Sequence, residues 1–238
     1  MSEDLKGQVA VVTGGTRGIG VAIARALLAE GVAVAVCGTK QSSVEGAVKD
    51  LQTLGRVEGR VCNVGSFEEV EGFFRDVEKT FGRLDILINN AGIGFFAPVD
   101  EITPEDWRRL IEINLHGPFY CTRQAVPLMK KNGGGFIINI GSLAGKNPFA
   151  GGSCYNASKF GLNGFSEAIM LDLRQHNIRV SQIMPGSVQT DFGPFGAAGG
   201  DWKIDPAHIG DTVLHLLRTP ARSLASRIEM RPSRPPSK

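Results

Sequence analysis

The chain is 238 residues long, with 42% hydrophobic and 21% charged residues, which suits a soluble globular protein with a sizeable core in a single domain. A formal net charge of +2 gives no electrostatic reason to expect a nucleic acid or a membrane surface as partner. Val32–Cys37 and Phe136–Ile140 are far too short to span a bilayer, and Met1–Gly7 has no apolar leader. Cys37, Cys62, Cys121 and Cys154 show no metal or paired spacing, so a cytoplasmic protein with reduced thiols and no metal is expected.

In chain order, Gln8–Thr13 is predicted as a strand and Gly18–Glu30 as a helix. Between them, Thr13-Gly14-Gly15-Thr16-Arg17-Gly18-Ile19-Gly20 places glycines where the backbone bends tightly, at a helix start whose amides and dipole favour an anion. The spacing G-x-x-x-G-x-G differs from the commoner G-x-G-x-x-G, and glycines also mark ordinary turns. The position after the first strand of an α/β pattern favours a nucleotide pyrophosphate. A second strand, Val32–Cys37, runs into Gly38-Thr39-Lys40. No acidic residue lies between Gly31 and Val44, where a site for NAD usually places a carboxylate on the ribose 2′-hydroxyl. Arg17, Thr39 and Lys40 therefore suggest a 2′-phosphate and NADP(H) in preference to NAD(H); the alternative is that both cations are simply solvated.

Further elements follow at Ser43–Leu54 (helix), Arg60–Asn63 (strand), Phe67–Phe81 (helix) and Leu84–Asn89 (strand), then a long helix over Pro104–Lys131. Strand Phe136–Ser142, helix Tyr155–His176, strand Ile178–Met184, helix Pro206–Arg218 and a short strand Arg227–Met230 complete the pattern. Continuous apolar strands alternating with helices predict a single Rossmann-type α/β domain over 1–238, with a doubly wound parallel sheet covered on both faces.

Candidate chemistry lies at strand ends. Tyr155-Asn156-Ala157-Ser158-Lys159 puts a phenol and an ammonium one turn apart on one helix face. The cation is expected to lower the tyrosine pKa, so that Tyr155 can give a proton to a carbonyl or take one from an alcohol. Ser142 ends the fifth strand, in the ligand crevice of a parallel sheet, and can donate to the substrate oxygen; a local turn is the plainer role for such a serine. Asn89-Asn90-Ala91-Gly92 ends the fourth strand, with Asn90 either lining the cofactor or tying backbone. Asn114 is a mediocre helix former inside the long helix and either holds a local break or a water leading to Lys159.

Thr13–Gly20, Asn89–Gly92, Asn114, Ser142, Tyr155, Lys159 and Pro185-Gly186 together resemble the short-chain dehydrogenase/reductase family, over the chain down to about Leu217. The resemblance implies a catalytic tetrad of Asn114 in the proton relay, Ser142 as carbonyl anchor, Tyr155 as acid/base and Lys159 as ribose ligand. It implies cofactor contacts from Gly14, Thr16, Arg17, Gly18, Ile19, Gly20, Thr39, Lys40, Asn63, Val64, Asn90, Ala91 and Gly92. Tyr155, Lys159, Pro185, Gly186, Val188 and Thr190 complete that set, with Thr190 at the nicotinamide carboxamide. Two departures stand out. Asn63 occupies a position where the family often has aspartate, and the C-terminus lacks the glycine-rich ending of members that reduce acyl-carrier substrates.

The expected activity is NADP(H)-dependent reduction of a ketone or aldehyde, reversible as alcohol oxidation. A 3-oxoacyl thioester reductase is the alternative within the class, and a catalytically silent cofactor-binding regulator the alternative outside it. The expected pocket borders are Phe95, Phe96, the Leu143–Ala150 loop, Cys154 and the Ser187–Gly200 segment with Phe192 and Phe195. Residues 187–204 form either a substrate lid or an idle surface loop. The basic tail 231–238 reads as a flexible end. Apolar residues on more than one face of the two long helices suggest a homodimer or homotetramer.

Overall fold

The structure is a computed structural model that describes residues 4–192 and 200–235. Its elements are β1 (Val9–Thr13), α1 (Gly18–Ala29), β2 (Ala33–Gly38), α2 (Gln41–Leu51), β3 (Val57–Val61), α3 (Phe67–Phe81) and β4 (Ile86–Asn89). They continue with α4 (Pro104–Ile111), α5 (Gly117–Lys131), β5 (Gly135–Ile140), α6 (Ser153–Leu173), β6 (Ile178–Pro185), α7 (Pro206–Leu217) and β7 (Arg227–Met230). The strands form one seven-stranded parallel sheet in the order β3-β2-β1-β4-β5-β6-β7. This is the doubly wound Rossmann-like arrangement expected from the alternating pattern. The strand order reverses between β1 and β4, which opens a crevice at their carboxyl ends.

Alternate residues of each central strand supply opposite faces, so a continuous apolar run satisfies two cores at once. Ala10, Val12, Val34, Val36, Ile86, Ile88 and Ile138 pack against Ile23 and Leu27 of α1, Leu51 of α2 and Val213 and Leu216 of α7. Val11, Ala35, Leu87, Ile137 and Val180 face Phe73 and Val77 of α3, Ala125 and Met129 of α5 and Leu173 of α6. Each such side chain removed from water contributes roughly 1.5–3 kcal/mol.

Most element boundaries shift by one to three residues from the sequence expectation, and three departures have a clear local cause. β3 lies earlier than Arg60–Asn63, because it is the sheet edge and carries solvent-facing Glu58, Gly59 and Arg60 instead of an apolar run. Ser142 lies beyond β5 and heads a single 3₁₀ turn, Leu143–Gly145, by accepting from the Ala144 N–H at 3.1 Å. The helix expected over Pro104–Lys131 is interrupted by a π-helical segment, Glu112–His116, centred on Asn114. Gly117 N–H bonds Glu112 O in the wider π pattern, and Pro118 has no N–H with which to close an α-helical bond to the Asn114 carbonyl. The local break at Asn114 is thus a π bulge, a feature often found at functional sites.

Candidate active site

At the carboxyl ends of the strands lies a cavity of about 660 Å³, lined from Thr16 and Thr39 at one end to Tyr155, Phe192 and Trp202 at the other. Its floor is the turn between β1 and α1. Gly14 has φ +62°, and Gly20 packs so closely that a Cβ there would stand 2.2 Å from the Gly14 carbonyl oxygen. Asn90 Nδ2 donates to the carbonyls of Thr13 and Gly14 at 2.9 and 3.1 Å, while Thr13 Oγ1 accepts from the Asn90 and Ala91 amides at 3.0 Å. Asn90 therefore does both things the sequence allowed: it lines the cavity and ties the backbone of β4 to the glycine turn.

The helix starts at this end differ in a way that bears on charge. α3, α4 and α7 are capped by the side chains of Ser66, Thr103 and Asp205. α1 and α2 have no side-chain cap and no acidic residue in their first turns, and the N-cap positions are held by Arg17 and Lys40. A cation at the positive end of a helix is electrostatically unfavourable unless an anion joins it, and the open amides offer that anion its donors. Arg17 and Thr39 line the cavity; Lys40 is exposed at the head of α2, outside the cavity wall. Asn63 and Val64 line the same end, where Asn63 Oδ1 accepts from the Gly65 N–H at 3.0 Å.

At the other end α6 carries Tyr155 and Lys159 one turn apart, both buried and both facing the cavity. Lys159 Nζ lies 5.8 Å from the centre of the Tyr155 ring and donates to the Ile140 carbonyl at 3.2 Å. Ser142 lines the same cavity, near enough to Tyr155 to bear on its pKa. Asn114, beneath them, accepts from the Ile93 N–H at 2.8 Å and donates to the Ile93 carbonyl at 2.9 Å and to Ser158 Oγ at 3.2 Å. Ser158 Oγ in turn donates to the Tyr155 carbonyl at 2.8 Å, so the π segment and the tyrosine turn are one hydrogen-bonded unit.

The electrostatics correct one expectation. Burial pushes the Tyr155 phenol above its ordinary value, and the nearby Ser142 hydroxyl only partly offsets this. Burial also lowers Lys159 to about 8. The desolvation of both groups outweighs the acidifying effect expected of the ammonium, so the resting phenol is firmly protonated at neutral pH.

Several residues that shape the site were not singled out from sequence. Asn156 Nδ2 donates to the Ala144 carbonyl at 2.6 Å, and Asn163 Nδ2 donates to the Gly145 carbonyl at 2.7 Å. Together they fasten the Ser142 turn to α6, and Gln182 of β6 donates to Asn163 Oδ1 at 2.7 Å. The available signal was two asparagines, poor helix formers, on the Tyr155–Lys159 helix. From Pro185 at the end of β6, the chain passes along the cavity through Gly186, Val188 and Thr190, and Thr190 packs over Gly18 of the glycine turn. This segment is pinned at its base by Gln189 N–H to Ile204 O and Ile204 N–H to Ser187 O, both 2.9 Å. Phe195, Gly193, Gly196 and Gly199, expected in the pocket border, lie outside the described residues. Among the described residues no cluster of His, Cys, Asp or Glu has the make-up of a metal site, and no helix is long and apolar enough to cross a membrane.

Comparison with known proteins bears on this geometry. The family described as short chain dehydrogenase matches residues 8–195. The human protein named dehydrogenase/reductase SDR family member 4 is 40% identical over 192 residues, covering 80% of this chain and 69% of that protein. A metagenomic short-chain oxidoreductase solved in complex with NADP superposes with a TM-score of 0.86 at 37% identity, covering 98% of this chain and all of the other. An alcohol dehydrogenase from the archaeon Thermococcus sibiricus, complexed with 5-hydroxy-NADP, gives 0.90 at 28% identity, covering 97% and 99% of the two chains.

Proposed function

The chain belongs to the short-chain dehydrogenase/reductase family, and from that membership we propose an NADP(H)-dependent enzyme that interconverts a neutral ketone or aldehyde and its alcohol. That it is a nucleotide-dependent oxidoreductase follows from the family. The carbonyl chemistry is carried by one observation: a buried Tyr155 that lines one cavity with Ser142, with the Lys159 ammonium nitrogen 5.8 Å from its ring centre.

The residues present fit a nicotinamide dinucleotide. Gly14–Gly20 and the open start of α1 suit the pyrophosphate, and Asn63 and Val64 border the adenosine end. Thr39 and Arg17 suit the 2′-phosphate, with Lys40 close enough in sequence to add long-range attraction. Asn90, Ala91 and Gly92 would form the wall, Lys159 would face the ribose hydroxyls, and Pro185, Gly186, Val188 and Thr190, all lining the cavity, would border the nicotinamide. When bound, the dinucleotide supplies or accepts the hydride.

This chain's own residues handle the proton. In reduction, Tyr155 donates its phenolic proton to the carbonyl oxygen as negative charge develops there, and the Ser142 hydroxyl donates a hydrogen bond to the same oxygen. The Lys159 ammonium stabilises the phenolate left behind. Asn114 holds the Ile93 backbone and the tyrosine turn in register, at the start of the path by which the proton is replaced. In oxidation the same groups work in reverse.

The chain acts as one cofactor-binding and catalytic domain in a reducing compartment such as the cytoplasm, in keeping with four buried free cysteines. It assembles as a homo-oligomer through α5 and α6, where Phe119 and Phe160 stand exposed. The cofactor assignment is tested by Michaelis constants for NADPH and NADH. NADPH is expected to be favoured by about tenfold or more, and Arg17→Ala to raise the NADPH constant by about ten- to a hundredfold while moving that for NADH little. A preference of the wild type for NADH would contradict it.

A further inference from the structure

The hydroxyls of Ser142 and Tyr155 fix where a carbonyl oxygen sits, and the neighbouring side chains fix what else of the substrate can be accommodated. Phe96 stands edge-on to the Tyr155 ring at 5.4 Å between centroids and 77° between planes. Phe192, from the segment after β6, tilts against the same ring at 6.0 Å. Phe96 is half-buried and Phe192 is 42% exposed, and each has a neighbour against it. Phe149 supports Phe96 from behind at 5.5 Å, and the Phe192 ring lies so close to the backbone of Gly94 that a Cβ there would meet it at 2.9 Å. Ile93 and Trp202 extend the apolar wall.

Charge points the same way. Of the charged residues lining the cavity, Arg17 and Lys159 are those assigned above to the cofactor, which leaves Asp191 and Lys203. Asp191, beside Phe192, is exposed, and Lys203 is partly buried. Opposite in sign and at the same end of the cavity, the two give a substrate carboxylate no net attraction, whereas the apolar wall suits an uncharged group.

We infer that Phe96 and Phe192 form an aromatic slot over Tyr155 that selects a flat, uncharged ketone, with an aryl group as its best-fitting substituent. This names the substrate class of the carbonyl-reducing site proposed above and rests on that reading. Ring-to-ring contact adds about two- to tenfold per aromatic pair over the same apolar area without it.

The test follows NADPH oxidation with three probes: acetophenone, a linear methyl ketone of equal carbon number, and a linear α-keto acid of equal carbon number. The expected kcat/KM for acetophenone is about tenfold above that for the linear ketone, with the keto acid lowest. Phe96→Leu and Phe192→Leu each lower the ratio of acetophenone to linear ketone by about two- to tenfold, chiefly through KM. A merely structural role would depress both probes together and leave the ratio in place. A wild type that prefers the linear ketone or the keto acid overturns the slot, as does a ratio unmoved in both variants; the wild-type ranking decides even if a variant fails to fold. No turnover of any probe at saturating NADPH fells the carbonyl reading itself, and the slot with it, whereas turnover in the opposite order fells the slot alone.

Discussion

Burial governs the ionisation of Tyr155 and Lys159 at the scale of single residues. Lys159 holds its proton with a pKa of about 8 when folded, against 10.5 as an ordinary lysine. Between those values the unfolded chain carries more protons, so stability rises with pH through this window. Relative to Lys159→Met, which has nothing to titrate there, the wild type is expected to gain on the order of 3 kcal/mol between pH 8 and 10.5, read by urea unfolding of the cofactor-free protein. Activity runs the other way. Above pH 8 the ammonium is lost and the phenolate loses its support, so kcat/KM for reduction is expected to be level up to that pH and to fall beyond it. Asn156 shows what sequence could not convey. Tyr155, Lys159 and Ser142 are legible from type and spacing, but the amide of Asn156 meets the Ala144 carbonyl only because the chain folds back across the strand ends. Asn156→Ala leaves that carbonyl unpaired, and a stability loss of about 1–3 kcal/mol is expected in denaturant titration, with a lower kcat as the Ser142 turn loosens.

For whole elements, the π bulge is the most informative departure from a regular helix. The sequence marked Asn114 as an awkward helical residue. The register of the bulge also depends on Pro118, whose missing N–H was on view but carried no signal until Asn114 was seen clamped to Ile93. Pro118→Ala restores that donor and lets a regular α-helix compete. The expected result is a ten- to hundredfold drop in kcat with NADPH affinity little changed, because the change misplaces the tyrosine turn and not the glycine turn. An unchanged kcat would mean that the bulge is incidental to catalysis. β3 teaches the complementary lesson. Central strands read clearly because both faces are buried, whereas an edge strand with Glu58 and Arg60 has no such pattern, and its boundaries had to come from its pairing with β2.

The whole molecule places its chemistry where the strand order reverses: the glycine turn follows β1, the Asn90 wall follows β4, and the Ser142 turn follows β5. The doubly wound sheet was legible because alternation of apolar strands and helices has few other solutions. The proposal of association rests in the sequence only on apolar residues on several faces of two helices, and Phe119 and Phe160 stand exposed on them. Light scattering is expected to give a dimer or tetramer, and Phe160→Glu to shift it toward monomer. The account as a whole turns on proton transfer by Tyr155, and a NADPH-oxidation assay on Tyr155→Phe, with cofactor binding measured in parallel, tests it most directly. It predicts a loss of turnover of at least about a hundredfold with NADPH binding retained. Undiminished turnover by a variant that still binds NADPH would contradict it.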